Sequence, residues 1–178
     1  MPDSPTGPGK KILDQVRKTQ QNQLAAETIE SPHQEYLSFL LNEDCYGLSV
    51  YDLVEVLPPP KITRVPSVPD HILGVINLRG EVLSTIDLKH CFGLPQGEPT
   101  EDQALIVVEH AGMRTGLLVD DIGDLVNLAP EDLSEEPLLA GTSQRVFFEG
   151  AAPWGEGFLT VIRLEGIFQA EGMYAYQG

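Results

Sequence analysis

The stretch ILGVINLRGEVLSTIDLKHCFGL, residues 72–94, limits the fold of this chain more than any other. Two short apolar, β-branched runs, 74–78 and 81–86, flank the pair Arg79-Gly80. Runs of that composition around a tight Gly-containing link predict a β-hairpin. Gly80 can take the positive φ such a turn requires, which a bulky residue adopts only with strain. Asp87 follows the second run and can cap a helical turn over 88–92, which Gly93 then ends. Gly74, Gly80 and Asp87 are therefore read as structural turn positions. The unusual element is Arg79, a lone cation at the tip of so apolar a hairpin.

The same reading extends to both sides. Residues 36–41, 46–50, 53–57 and 62–65 are strand candidates upstream of the hairpin, and Pro58-Pro59-Pro60 excludes a central strand between the last two. Residues 96–103, polar with Gly97 and Pro99, read as a linker. A second set of strands is expected at 104–109, 113–119, 125–128, 146–149 and 158–163, with a closing helical turn at 164–171 and a tail at 172–178. Many short strands at even spacing favour small barrels or a sandwich over a parallel α/β sheet. Each set holds about five strands and is too small to bury much alone.

Residues 1–34 differ in kind. The first nine are rich in Pro, Gly and Ser and are expected to be disordered. Residues 10–27 form a plausible helix whose apolar stripe (Ile12, Leu13, Val16 and later Leu24) is too sparse to hold a helix in water alone. The expectation is a disordered or loosely helical arm over 1–34.

Charge and composition narrow the function. The net charge is −16, and residues 1–34 hold four basic and four acidic residues, so the whole excess lies in the remainder. Such a surface repels phosphate backbones and anionic lipid, which argues against nucleic-acid or membrane partners. No stretch approaches the roughly 18 apolar residues of a membrane span. Cys45 and Cys91 are too few for a disulfide framework, which points to a reducing, cytoplasmic setting. None of the four histidines, His33, His71, His90 and His110, has a partner at metal-ligand spacing. Asp120, Asp121 and Asp124 form the densest carboxylate group, but they follow a strand and flank Gly123 as a solvated turn would. No nucleophile elbow or phosphate-binding glycine loop is present. The chain reads as a non-enzyme with no cofactor and no metal. A small β-barrel hydrolase or ligand-binding enzyme using Asp120, Asp121 and Asp124 is the distant alternative.

Two polar positions stand out among apolar ones. Glu55 interrupts the run Val54-Glu55-Val56, so its side chain must leave the core or pair with a cation. Arg79, after Asn77-Leu78, is the obvious candidate cation.

The string GVINLRG followed by IDL resembles the signature of the CheW-like domain, the adaptor module of bacterial chemotaxis signalling. The likeness is wider than the motif. Residues 35–57 resemble the family's opening strands, 62–74 its next segment and 104–128 the start of its second half, in family order over about 35–168. This resemblance implies an all-β fold of two packed five-stranded SH3-like β-barrels with short helical turns, whose interface is part of the core. On it, a CheW-like domain over 35–171 divides into a first lobe of about 35–94 and a second of about 104–163.

The resemblance further implies a non-catalytic scaffold that couples transmembrane chemoreceptors to a CheA-type histidine kinase. One surface would hold the cytoplasmic tip of a methyl-accepting chemotaxis protein, and barrel edges would hold the kinase's regulatory domain. The positions matching the receptor groove are Arg79, Glu55, Asn77, Val54 and Val56. The isolated protein is expected to be a monomer without nucleic-acid partners or membrane insertion. An adaptor of a chemosensory system controlling pilus motility or another output is the close alternative. Ser84, where the family often has proline, and the proline-rich 58–60 depart from the family pattern.

Overall fold

A computed structural model describes residues 8–25, 33–134 and 142–170. Helix α1 (Pro8–Ala25) precedes the strands β1 (Gln34–Leu41), β2 (Asp44–Ser49) and β3 (Leu53–Leu57). The hairpin β4 (Ile72–Leu78) and β5 (Glu81–Asp87) leads into the short helix α2 (Leu88–Cys91). Then come β6 (Ala104–His110), β7 (Met113–Val119), β8 (Asp121–Leu128), β9 (Phe148–Trp154), β10 (Gly157–Ile162) and α3 (Leu164–Ala170). The two five-stranded sheets have the orders β8-β1-β2-β10-β9 and β3-β6-β7-β5-β4.

Read side by side, the two orders are the same topology. Each sheet has an antiparallel hairpin at its centre (β1–β2 or β6–β7). One flank is a single antiparallel strand (β8 or β3). The other flank is a second hairpin (β10–β9 or β5–β4), joined through a parallel pairing to β2 or β7. The chain therefore consists of two five-strand halves, each giving its first hairpin to one sheet and its last three strands to the other. Each sheet curls into an SH3-like barrel, and one edge strand is bridged to the segment that follows the other: Val75 of β4 to Thr63 after β3 in one barrel, Ala151 of β9 to Ser134 after β8 in the other.

This corrects the expected division into lobes at 35–94 and 104–163. One barrel is β3 to β7, a continuous stretch, and the other combines β1 and β2 with β8 to β10. The cause is local. After β2 the backbone turns through hydrogen bonds from Asp52 N to Ser49 O and from Leu53 N to Val50 O. Glu109 N then donates to Asp52 O, 2.9 Å, drawing the chain onto β6. At the corresponding point after β7, Asp120 N donates to Leu40 O, 3.0 Å, and returns the chain to β1.

The core has three parts because central strands are buried on both faces. Along β6, Ala104, Ile106 and Val108 face a large cluster shared by both sheets, while Leu105 and Val107 face the interior of their own barrel with Ile76 and Leu83. Tyr36, Val126, Leu159 and Val161 fill the other barrel. Phe92, just after α2, meets Tyr46 of β2 and Phe148 of β9 at ring separations of 5.6 and 4.8 Å, so the sheets share aromatic contacts. Edge-on and tilted contacts at such distances add to plain burial.

Three further expectations change. Residues 62–65 are not a strand; only Thr63 pairs, because Pro60, Pro66 and Pro69 remove the backbone donors a longer ladder needs. The strand expected at 146–149 begins at Phe148, after a 3-10 turn over Thr142–Phe147. Within the described residues the arm is helical from Pro8 onward and docked on the sheets. Pro8 opens α1, where its missing N–H costs nothing, and Leu13 and Val16 are buried, Val16 at 1% exposure within the shared cluster. The stripe is indeed too thin for an isolated helix, but the sheets supply the apolar partner. The expectations for residues 1–7, 26–32, the last residue of the closing turn at 171 and the tail at 172–178 lie outside the described residues.

Candidate partner-binding site

The β4–β5 hairpin is built as its sequence requires. Leu78 pairs with Glu81, leaving Arg79-Gly80 as a two-residue turn with φ of 51° and 85°. Two successive positive φ values define the turn whose twist matches the flanking strands. Arg79 therefore carries left-handed backbone itself. Asn77 helps to hold the tip: its Oδ1 accepts a hydrogen bond from Gly80 N at 2.9 Å.

Glu55 reaches the same place from β3. The β3–β6 register shifts between Leu53 and Glu55, and this bulge changes the alternation of side chains. Leu53 and Val56 face the shared cluster, Val54 and Leu57 face the barrel interior, and Glu55 is released from the apolar alternation toward the rim. Arg79 donates from Nη1 to Glu55 Oε2 at 2.6 Å and from Nη2 to Oε1 at 2.5 Å. Parallel bonds of this kind are the strongest geometry available to a guanidinium and a carboxylate. The carboxylate raises the Arg79 pKa further above its ordinary value, chiefly through these hydrogen bonds.

The pair joins β3 to the β4–β5 tip, and β3 and β4 are the two edge strands of one sheet. It thus closes the barrel at one end as the Thr63–Val75 bridge closes it elsewhere. Exposure divides the partners: the Arg79 side chain is 70% exposed and that of Glu55 only 10%. The guanidinium meets the carboxylate with one edge and leaves most of its surface to solvent.

The other sequence candidates separate. Asn77 is exposed and adjoins the pair, Val54 is half-buried against the barrel interior, and Val56 lies in the shared core. Val56 is thus inaccessible to a partner as long as its covering residues stay in place. Gly74, at φ 149°, sits where Thr63 O closely approaches, and Asp87 caps α2 by accepting from His90 N. Val82, opposite Asn77 on β5 and 66% exposed, adds an apolar contact surface beside the arginine. Its position was legible only as one more apolar residue in a strand. Glu81 and Arg114 extend the rim, 3.5 Å apart.

The carboxylates at 120–124 do not form the expected solvated turn. Residues from Asp121 onward belong to β8, where Ser38 Oγ donates to Asp124 O and fills the space beside Gly123. Asp120 faces Lys89 Nζ at 2.8 Å and accepts from Asn42 N at 2.7 Å. Burial pushes its carboxyl up, but these partners outweigh burial and hold it below the usual range. Asp121 accepts from the neighbouring Ile122 N, and Asp124 is exposed. The three are engaged separately and do not converge around one point. Among the described residues no group of three or more His, Cys, Asp or Glu is placed to hold a metal, and no helix is long and apolar enough to cross a membrane.

Comparison with known proteins agrees with this architecture. The chain is 31% identical over 153 residues to the chemotaxis protein CheW of Klebsiella aerogenes, an overlap of 85% of this chain and 90% of that one. It is 30% identical over 121 residues to protein PilI of Pseudomonas aeruginosa, covering 60% of this chain and 68% of the relative. The crystal structure of the scaffolding protein TtCheW from Thermoanaerobacter tengcongensis superposes with a TM-score of 0.67 at 32% identity, covering 73% of this chain and 88% of that one. The family model described as CheW-like domain matches residues 35–172. The chain belongs to the CheW-like domain family.

Proposed function

We propose that this chain is a non-catalytic, cytoplasmic adaptor of chemotaxis signalling that couples a chemoreceptor's cytoplasmic tip to a CheA-type histidine kinase. The observation that carries the receptor half of this reading is the exposed Arg79 head held by Glu55 at a barrel rim, beside exposed Val82. A guanidinium fixed in this way loses little freedom on binding and can offer its remaining donors to a carboxylate or a helix carbonyl. The kinase's regulatory domain docks on barrel edges, where strands present unpaired backbone groups. With both partners held, the adaptor raises the local concentration of kinase at receptors and passes on a shift in geometry, and no bond is made or broken on it. It acts as a monomeric unit.

The test is a reconstitution of receptor-containing membranes, kinase and this protein, with kinase autophosphorylation as the readout. The wild-type chain should bring the kinase under control of receptor ligand, while Arg79→Ala should bind kinase yet fail to couple it. Equal coupling by Arg79→Ala would sink the assignment of the receptor site. The same role in a chemosensory system with another output, such as pilus motility, is a second reading, favoured by the likeness to PilI. Identification of the receptor and kinase that co-purify from the source cell separates the two.

A further inference from the structure

We infer that α1 is a removable occupant of the seam between the barrels, which it must leave before the receptor tip can dock there. This rests on the receptor-binding role proposed above. Helix α1 packs across β3 and β8, which are topologically equivalent edge strands, one from each sheet. It therefore lies where the two barrels meet along edges that no further strand covers. The seam already accepts a helix, and β3, one of its walls, carries Glu55.

The hold on α1 is thin. Its apolar contacts are few: Val16 and Ile12 pack on the shared cluster containing Val50, Leu53 and Val56, and Leu13 is buried beside them in one narrow stripe. Gln20 adds a side-chain amide that donates to the carbonyls of Val50 and Leu53. The opposite face, with Lys11, Asp14, Arg17 and Lys18, is exposed and makes no use of the seam. An 18-residue helix with so few anchors is marginal away from its site, so undocking has little helical stability to oppose it beyond those contacts.

An incoming helix can reproduce each contact. It needs apolar residues at the spacing of Leu13 and Val16 and a side-chain amide about one turn further on. Undocking α1 opens the ground over β3: a Cβ at Gly9 would lie 4.0 Å from Val56 Cγ1, so the start of α1 rests on Val56. With α1 in place Val56 is buried; with α1 displaced it joins Glu55 and Arg79 in one continuous surface. Receptor affinity is then reduced by the fraction of molecules in which α1 is docked.

Two full-length variants test this against a labelled helical-hairpin tip of a methyl-accepting chemotaxis protein from the source cell. Val16→Asp should undock α1 and bind the tip about tenfold more tightly, as expected if roughly a tenth of wild-type molecules are open. A residue that merely supported the fold would lower binding instead. In Gly9→Cys/Val56→Cys, the disulfide formed on oxidation should lock α1 down, so the oxidised form should bind the tip at least tenfold more weakly than the reduced form of the same variant. Equal binding by the oxidised and reduced forms overturns the inference while leaving the adaptor role standing. Dimer formation by Val16→Asp also overturns it, because the seam would then be an interface between copies. Failure of every form to bind the tip overturns the adaptor reading together with this one.

Discussion

Arg79 and Glu55 share two hydrogen bonds but not an environment: the cation stands in solvent and the anion does not. Deleting either partner therefore has different consequences. Arg79→Ala strands a carboxylate that the fold has taken out of water, whereas Glu55→Ala leaves a guanidinium that water can solvate. The melting temperature should fall further for Arg79→Ala than for Glu55→Ala, and Arg79→Lys should recover only part of it, since ammonium lacks the planar fork. Thermal melts of the three variants check the ranking. A larger fall for Glu55→Ala would mean that the arginine, not the carboxylate, is the desolvated member.

Gly74 and Gly80 both have positive φ, yet they should differ on substitution. A Cβ at Gly80 meets nothing within 4 Å, so Gly80→Ala should cost only the backbone strain, about 1–2 kcal/mol. A Cβ at Gly74 would lie 2.2 Å from Thr63 O, inside the bridge that joins β4 to the segment after β3. Gly74→Ala must displace that bridge and should cost on the order of 3 kcal/mol or more. Urea denaturation of the two variants measures the difference directly.

The Lys89–Asp120 pair predicts a pH dependence with a definite sign. Asp120 is held below the ordinary carboxylate pKa in the folded chain, so the unfolded chain binds its proton first as pH falls. The contribution of Asp120 is complete above the unfolded value and is lost as pH falls through the depressed folded value. Asp120→Asn should destabilise by roughly 2–3 kcal/mol near neutral pH, because Lys89 stays largely buried without its counter-charge. Its stability gap from wild type should close as pH falls below the ordinary carboxylate range. A gap that widens on acidification would contradict the direction.

The −16 charge acts at longer range than any of these contacts. Docking of the kinase regulatory domain on apolar barrel edges should show an association rate that falls with salt, while the dissociation rate changes little. Surface-binding kinetics at low and high ionic strength give both numbers. A dissociation rate that rises steeply with salt would place charge, not apolar surface, in the docked interface.

Most strands could be read from sequence because their apolar runs are short, β-branched and bounded by Gly, Pro or Asp; Leu53–Leu57 and Met113–Val119 coincide with the expected limits. What could not be read was which sheet each strand joins. The unbroken apolar run of β6 marks burial on both faces but carries nothing about its neighbours, which are set by the backbone bonds at Asp52 and Asp120. The pairing of Glu55 with Arg79 was legible as a charge problem seeking an answer. The bulge that delivers Glu55 to the rim was not, since an extra residue in a ladder leaves no mark of its own in composition. The docking of α1 was hidden for a similar reason: three apolar residues look inadequate until the seam opposite them is known.

The exchange of strands between halves also sets an order of assembly during synthesis. The barrel made of β3 to β7 is complete once Val119 has left the ribosome, and its parallel partners Ser84 and Thr115 are near in the chain. The other barrel waits much longer. Cys45 of β2 pairs with Leu159 of β10, near the far end of the described chain, so β1 and β2 emerge early and remain a hairpin with an open edge. That interval, at about 5–20 residues per second, lasts on the order of 5–20 s. From Val119 onward, the nascent chain carries one finished barrel beside an unfinished sheet, and any product released before β10 keeps an edge that can pair with another molecule.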